Sequence, residues 1–200
     1  MKKIMFNDKY GLTAAVLKGY KTMTRRIVPP RFYENILPGV FEEEINLKPH
    51  YKVGEVVAVA QKYLDLRNCD AFYEALSKAD PYFPLECIKG ERGAYNKMFV
   101  KGEWMPHRIR ITDIKVERLQ DISDEDCLME GIMMDPTIGW YYVPNLYLHR
   151  KTKNTVGPTL FEHPKAAYCA LCKKLGMVLD NSSNPWVFAY TFELERRART

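Results

Sequence analysis

Residues 107–120 read HRIRITDIKVERLQ, and the architecture depends on how their apolar positions alternate. Ile109 and Ile111 are two apart, as strand residues on one face must be. Ile114 and Val116 are also two apart, but on the opposite parity. A regular strand would turn the second pair to the other face. The slip falls at Thr112-Asp113, so the pattern predicts a β-bulge or a sharp bend there. A strand that bends and changes face is characteristic of a small barrel.

Outward from this strand, the punctuation marks the other elements. MKKIMF is a short first strand. NDKYGLTAAVLKG predicts a helix with Asn7 or Asp8 at its N-cap. Leu12, Ala15 and Val16 share its apolar face, and Gly19 stands where a left-handed C-terminal glycine belongs. KTMTRRIV, stopped by Pro29-Pro30, reads as a strand. YKVGEVVAVAQKY predicts another over Val53 to Tyr63, entered through Gly54, after a loop over 29–50. SDEDCLMEG predicts a compact helix with Ser123 as its cap, Asp126 in capping-box position and Gly131 closing it. HPKAAYCALCKKLG predicts a helix with Pro164 in its first turn and Gly176 past its end. NPWVFAYTFELE is the last strand. Two stretches interrupt the series. Residues 64–94 carry one helical piece, CDAFYEALSKAD, and a Pro-rich turn; residues 132–160 form a long aromatic loop. About five strands and three or four helices therefore make an α+β chain on a small, partly closed β-barrel with flanking helices. We expect one domain over 1–200, with insertions at about 64–94 and 132–160.

The bulk composition narrows the function classes. Apolar residues make up 46% and charged residues 28%, ordinary for a water-soluble domain. The formal charge of +5 permits an anionic partner without requiring one. No apolar run approaches the roughly 18 residues of a membrane span, and the start lacks a signal-peptide core. Five scattered cysteines make no disulfide framework. The expectation is a reduced, cytoplasmic protein with no membrane association.

The chemistry concentrates in GYKTMTRRIVPP, residues 19–30. In an extended segment, Thr22, Thr24 and Arg26 share one face and Met23, Arg25 and Ile27 the other. Lys21 sits at the hinge between helix and strand, where it can fold back beside Thr24. One reading is a solvated cationic edge, as edge strands use to resist aggregation. The other is a polar cluster for an anion or a carbonyl. There Arg26 holds a phosphate or carboxylate, Thr24 donates or attacks, and Lys21 acts as a base if burial lowers its pKa.

The spacing Gly19-x-Lys21-x-x-Thr24-x-Arg26 resembles the GxKxxTxR signature of the ASCH domain, in the PUA-like superfamily. YKVGEVVAV resembles that family's second conserved strand. ITDIKVERLQDISDEDCLMEGI and NPWVFAYTFEL resemble the strand–helix unit and closing strand of its phage-associated branch. The four stretches occur in family order. The resemblance implies a β-barrel with a cleft beside GxKxxTxR that holds RNA or a modified nucleoside. It also implies an alternative: a metal-free amidohydrolase of N4-acylated cytidine, with Thr24 as nucleophile, Lys21 as base and Glu130 as proton shuttle. A third possibility is a phage or mobile-element accessory protein with a protein partner. The branch usually continues its second strand with Arg and Glu, where this chain has Ala60 and Gln61. Glu130 has a plainer reading as an exposed residue at a helix end, where an acid opposes the macrodipole.

Other constellations carry less. Cys169 and Cys172 form a CxxC inside a helical pattern, and they read as small apolar helix residues. Trp140, Tyr141, Tyr142 and Tyr147 interleave with His149, Arg150, Lys151 and Lys153. That mixture suits a stacked base, or a loop whose rings cover the barrel mouth. Trp104, His107, Arg108 and Arg110 either line a cleft or pack at a strand entrance. Gly19, Arg26, Arg108, Trp140 and Tyr142 are the expected ligand contacts. No Gly-rich phosphate loop, GxSxG or HExxH is present and only four histidines occur, so neither a metal nor another cofactor is expected.

Overall fold

In a computed structural model, which describes residues 1–29, 48–148, 157–177 and 184–195, the 107–120 stretch forms the central strand. The main-sheet strands are β1 (Lys3–Ile4), β2 (Met23–Ile27), β3 (Val56–Val59) and β4 (Arg108–Arg118). The three two-residue strands β5 (Met133–Met134), β6 (Tyr141–Tyr142) and β7 (Leu160–Phe161) form a second sheet, and β8 (Trp186–Leu194) returns to the first. The main sheet has the order β1-β3-β4-β8-β2, antiparallel except for the parallel β1–β3 pair. The register of β4 against β8 shifts between Ile111 and Asp113. Thr112 is the extra residue, at the place where the parity slips. The bulge keeps Ile114 packed on the core that holds the fully buried Ile109 and Ile111.

Four helices cover the sheet: α1 (Leu12–Leu17), α2 (Asp70–Ala79), α3 (Asp124–Met129) and α4 (Pro164–Lys174). Their ends follow local chemistry. Asn7 accepts from the Lys9 amide and caps a 3-10 turn rather than α1 itself, because Gly11, at φ +70°, separates the two. Ser123 accepts from the Asp126 amide at 3.0 Å and starts α3. Gly131 and Gly176, both at positive φ, follow the ends of α3 and α4. Among the described residues, no helix is long and apolar enough to cross a membrane.

The architecture is mixed α and β, but the sheet does not close into a barrel. Its edges are β1 and β2, and no described backbone pairing joins them. The physical reason lies just past β1. The Phe6 carbonyl accepts from the Thr13 hydroxyl and the Lys97 ammonium. The Met5 carbonyl accepts from Arg26 on β2 at 2.6 Å. Side chains thus take the acceptors that a closing strand would need. Among the described residues, an open seam remains between the two edges.

Two expectations need correction in length and form. The strand expected over Val53 to Tyr63 is only Val56–Val59, and Tyr63 already starts a 3-10 turn. The 132–160 stretch is not wholly loop, since it supplies the second sheet. The 64–94 stretch builds a small core of its own. Tyr63, Leu66, Phe72, Leu76, Val100, Trp104 and Met105 pack there against Ala58 and Ala60. Ala60 is fully buried in that contact, and Gln61 meets the His107 ring at 2.7 Å. The expected loop over 29–50 and the cations His149 to Lys153 fall largely or wholly outside the described residues.

Candidate functional site

The site lies at the seam, and short-range geometry places its first residue. Gly19 adopts φ +78° at the end of α1, and the Tyr20 and Lys21 amides both donate to the Ala15 carbonyl. This tight reversal drops the Lys21 side chain under the helix. The Thr22 amide then donates to the Met129 carbonyl at 2.9 Å, which ties the start of β2 to the end of α3. Gly131 lets the two segments approach. A methyl group there would lie 3.3 Å from Lys21 Cβ, on a backbone at φ +96°.

That docking brings Glu130 onto Lys21. The ammonium donates to the Glu130 carbonyl at 2.8 Å and to its Oε2 at 2.6 Å. Lys21 is 2% exposed, while Thr24, Arg25 and Glu130 are each 5% exposed. Glu130 is therefore a buried partner rather than the exposed helix end of the plainer reading. Burial pushes the Lys21 ammonium below its ordinary pKa; Arg26 and Arg25 push the same way, and Glu130 opposes them.

Arg25 is the residue whose partners alternation did not reveal. It is expected beside Met23 and Ile27, away from the polar face. Instead its guanidinium is fully buried and gathers three carboxylates. Nε donates to Glu117 at 2.7 Å, one terminal nitrogen to Asp126 and the other to Glu130 Oε1 at 3.3 Å. The second nitrogen also contacts Met23 Sδ at 3.1 Å. Burial works against its charge, but Glu130 and Glu117 more than offset that and raise its pKa. Glu130 thus bridges two cations, with one oxygen on each. A buried charge held from both sides keeps one geometry.

These groups open into a cavity of about 670 Å³, lined by Lys21, Thr24, Arg25, Arg26 and Glu130 together with Phe6, Lys97 and Tyr168. The volume falls within the roughly 300–1,000 Å³ of small-molecule sites. Among the described residues, no hydrogen bond engages the Thr24 hydroxyl, and the Lys21 ammonium makes none to it. Tyr168, from α4, is held well above its ordinary pKa by burial and then by Glu130, so its hydroxyl stays protonated. Lys97 arrives from beyond the 64–94 stretch and pairs with Asp8 at 2.8 Å.

The other expected contacts lie elsewhere. Gly19 shapes the turn but lines a different depression, with Thr22, Arg110 and Glu193. Arg26 lines the cavity as an exposed residue, with one nitrogen on the Met5 carbonyl. Arg108, Trp140 and Tyr142 do not line it. Trp140 is exposed beyond the second sheet, and Tyr142 pairs with Met133 and Leu160 within that sheet. Trp104 packs in the smaller core. Cys172 is buried and Cys169 half-buried on α4. No group of three or more His, Cys, Asp or Glu among the described residues is placed to hold a metal ion.

Sequence reasoning missed Arg25, Lys97, Phe6 and Tyr168. A signal for Arg25 was present: residues 117–130 hold Glu117, Asp121, Asp124, Glu125, Asp126 and Glu130, an acidic run that matches the basic 21–26. The arrangement provides a polarised lysine–glutamate pair, an unengaged hydroxyl and a space for an organic ligand. No family model, curated protein or solved structure matches the chain.

Proposed function

We propose that the cavity binds a nucleoside carrying an acylated amine, with N4-acylated cytidine as the model, and hydrolyses the acyl amide without a metal. The observation that carries this reading is the buried Lys21–Glu130 pair lining the same cavity as Thr24. A buried ion pair is poor as a stabilising device. Beside an unengaged hydroxyl it is well suited to moving protons. The resemblance of Gly19-x-Lys21-x-x-Thr24-x-Arg26 to the ASCH signature supports the substrate class.

The proton balance is simple. Passing one proton along the 2.6 Å contact converts Lys21 ammonium and Glu130 carboxylate into a neutral amine and a carboxylic acid. The amine takes the Thr24 proton as Oγ attacks the acyl carbon. The C–N bond then breaks, and the departing amine of the base takes a proton from this pair. Water hydrolyses the acyl-threonine, releases the carboxylic acid and restores the hydroxyl. Arg25 would hold Glu130 in place throughout.

A second reading is a binding module without turnover. It is favoured by the absence of a direct Lys21–Thr24 hydrogen bond. RNA bound as an extended strand has less support, because Trp140 and Tyr142 lie away from the cavity. The concave shape of the site also weighs against a protein partner at this segment.

The test is incubation with N4-acetylcytidine while cytidine and acetate release are followed. Turnover by the wild type should fall about 10²-fold or more in Lys21→Met, Thr24→Val and Glu130→Gln. Binding of N4-acetylcytidine with no release would support the module instead. Neither binding nor release would overturn both.

A further inference from the structure

The seam holds a second cavity of about 540 Å³, and Met5, Arg26 and Ile27 line both. Its chemistry differs from the first. Among the described residues, Lys3, Arg26, Lys48 and His50 line it, and no carboxylate does. Tyr51, Phe188 and Tyr190 supply aromatic surface.

The charges there are not used up internally. Lys2, Lys97 and Arg110 each have a carboxylate partner. Arg26 and Lys48 make no ion pair with any described residue, and Arg26 spends one nitrogen on the Met5 carbonyl. Lys3 is fixed in place by the Met98 and Val100 carbonyls at 2.6 and 2.7 Å. The aromatic wall is equally fixed. The Tyr51 hydroxyl donates to the Lys3 carbonyl at 2.9 Å, and the His50 amide donates to the Tyr190 hydroxyl at 3.1 Å. The Tyr51 and Tyr190 rings meet edge to face at 5.3 Å.

Two cavities that share Arg26 define a ligand with two parts. We propose that the ligand is a phosphorylated nucleoside: its base enters the first cavity, and its phosphate passes over Arg26 into the second, towards Lys48. This rests on the nucleoside reading of the first cavity. An arginine fork and an ammonium with no competing carboxylate among the described residues suit a phosphate dianion, and the tyrosines give the sugar an apolar wall. A free nucleotide and the terminal nucleotide of an RNA share this chemistry.

The experiment is calorimetric titration at low salt with cytidine, the product of the proposed reaction, and with cytidine 5′-monophosphate, against inorganic phosphate alone as a control. We expect the monophosphate to bind about tenfold or more tightly than cytidine. That ratio should collapse towards one in the double variant Arg26→Gln/Lys48→Gln. Both residues are exposed, so the variant should fold, and its urea midpoint checks that it does. A short oligoribonucleotide distinguishes the sources: tighter binding than the monophosphate identifies an RNA end, and equal or weaker binding a free nucleotide. Equal affinity for cytidine and its monophosphate would overturn this inference and leave the first cavity's role standing. So would a preference for phosphate that the double variant keeps. Failure of both ligands to bind would overturn the nucleoside reading itself, and this inference with it.

Discussion

Substituting Glu130 by Gln tests the central pair through stability, independently of any substrate. The change keeps the shape of the side chain and removes its charge. Arg25 retains Glu117 and Asp126, but Lys21 loses the one carboxylate that its ammonium touches among the described residues. A lysine 2% exposed then has to shed its proton to remain buried. At pH 7 that costs the distance to its unfolded pKa of about 10.4. The distance is about 3.4 pH units, or about 4.6 kcal/mol at about 1.36 kcal/mol per unit. The figure agrees with the roughly 3–5 kcal/mol typical of breaking a buried pair. The sign follows from proton counting. A lysine held below its unfolded pKa binds fewer protons folded than unfolded, so stability rises with pH. The penalty is fullest at the acid side and fades towards the unfolded value. Where the wild-type lysine keeps its proton, the gap between variant and wild type narrows with pH, to about 1.9 kcal/mol at pH 9.

The assay is urea unfolding of both proteins at pH 7, 8 and 9, where groups common to the two cancel in the difference. With a urea slope of about 1–3 kcal/mol/M, the midpoint at pH 7 should drop by roughly 2 M. The double variant Lys21→Met/Glu130→Gln removes both charges. It should recover most of the loss and show no narrowing, since replacing a buried pair outright is often nearly neutral. A deficit below about 1 kcal/mol at pH 7 would refute the reasoning. So would one that stays constant from pH 7 to 9, or a double variant no more stable than Glu130→Gln.

Two further substitutions probe the supports of the site. Gly131→Ala places a methyl 3.3 Å from Lys21 Cβ at φ +96°; it should lower stability by about 1–3 kcal/mol and reduce ligand affinity, read by thermal unfolding and titration. Trp104→Ala empties the centre of the smaller core. It should cost about 3–5 kcal/mol, with amide exchange rising first around Tyr63–Leu66 and α2.

Much of the scaffold was legible because local chemistry determines it. The parity slip at Thr112-Asp113 became the bulge, since a buried face cannot change sides without an extra residue. Gly19, Ser123, Gly131 and Gly176 mark real helix ends, because caps depend on a few neighbouring residues. Barrel closure was not legible. It depends on whether the acceptors of Met5 and Phe6 meet a strand or the side chains of Arg26, Thr13 and Lys97, and those partners are distant in sequence.

The same distinction explains the site. Alternation along β2 separates Thr24 from Arg25, yet both are buried and both line the first cavity, where α3 meets the strand. Period-two reasoning assumes one wet face. At this strand edge that assumption fails, and Arg25, on the face opposite Thr24, is a buried ion-pair centre. Arg25 then does what Arg26 was expected to do, holding carboxylates in a fork. Arg26 is left at the seam with nitrogens to spare. That exchange of roles has a functional consequence. An arginine already paired with Glu117, Asp126 and Glu130 is committed to those carboxylates, and under the proposed function it would hold the Lys21–Glu130 pair in place. Arg26, with no carboxylate partner among the described residues, is the neighbour that we propose meets the phosphate.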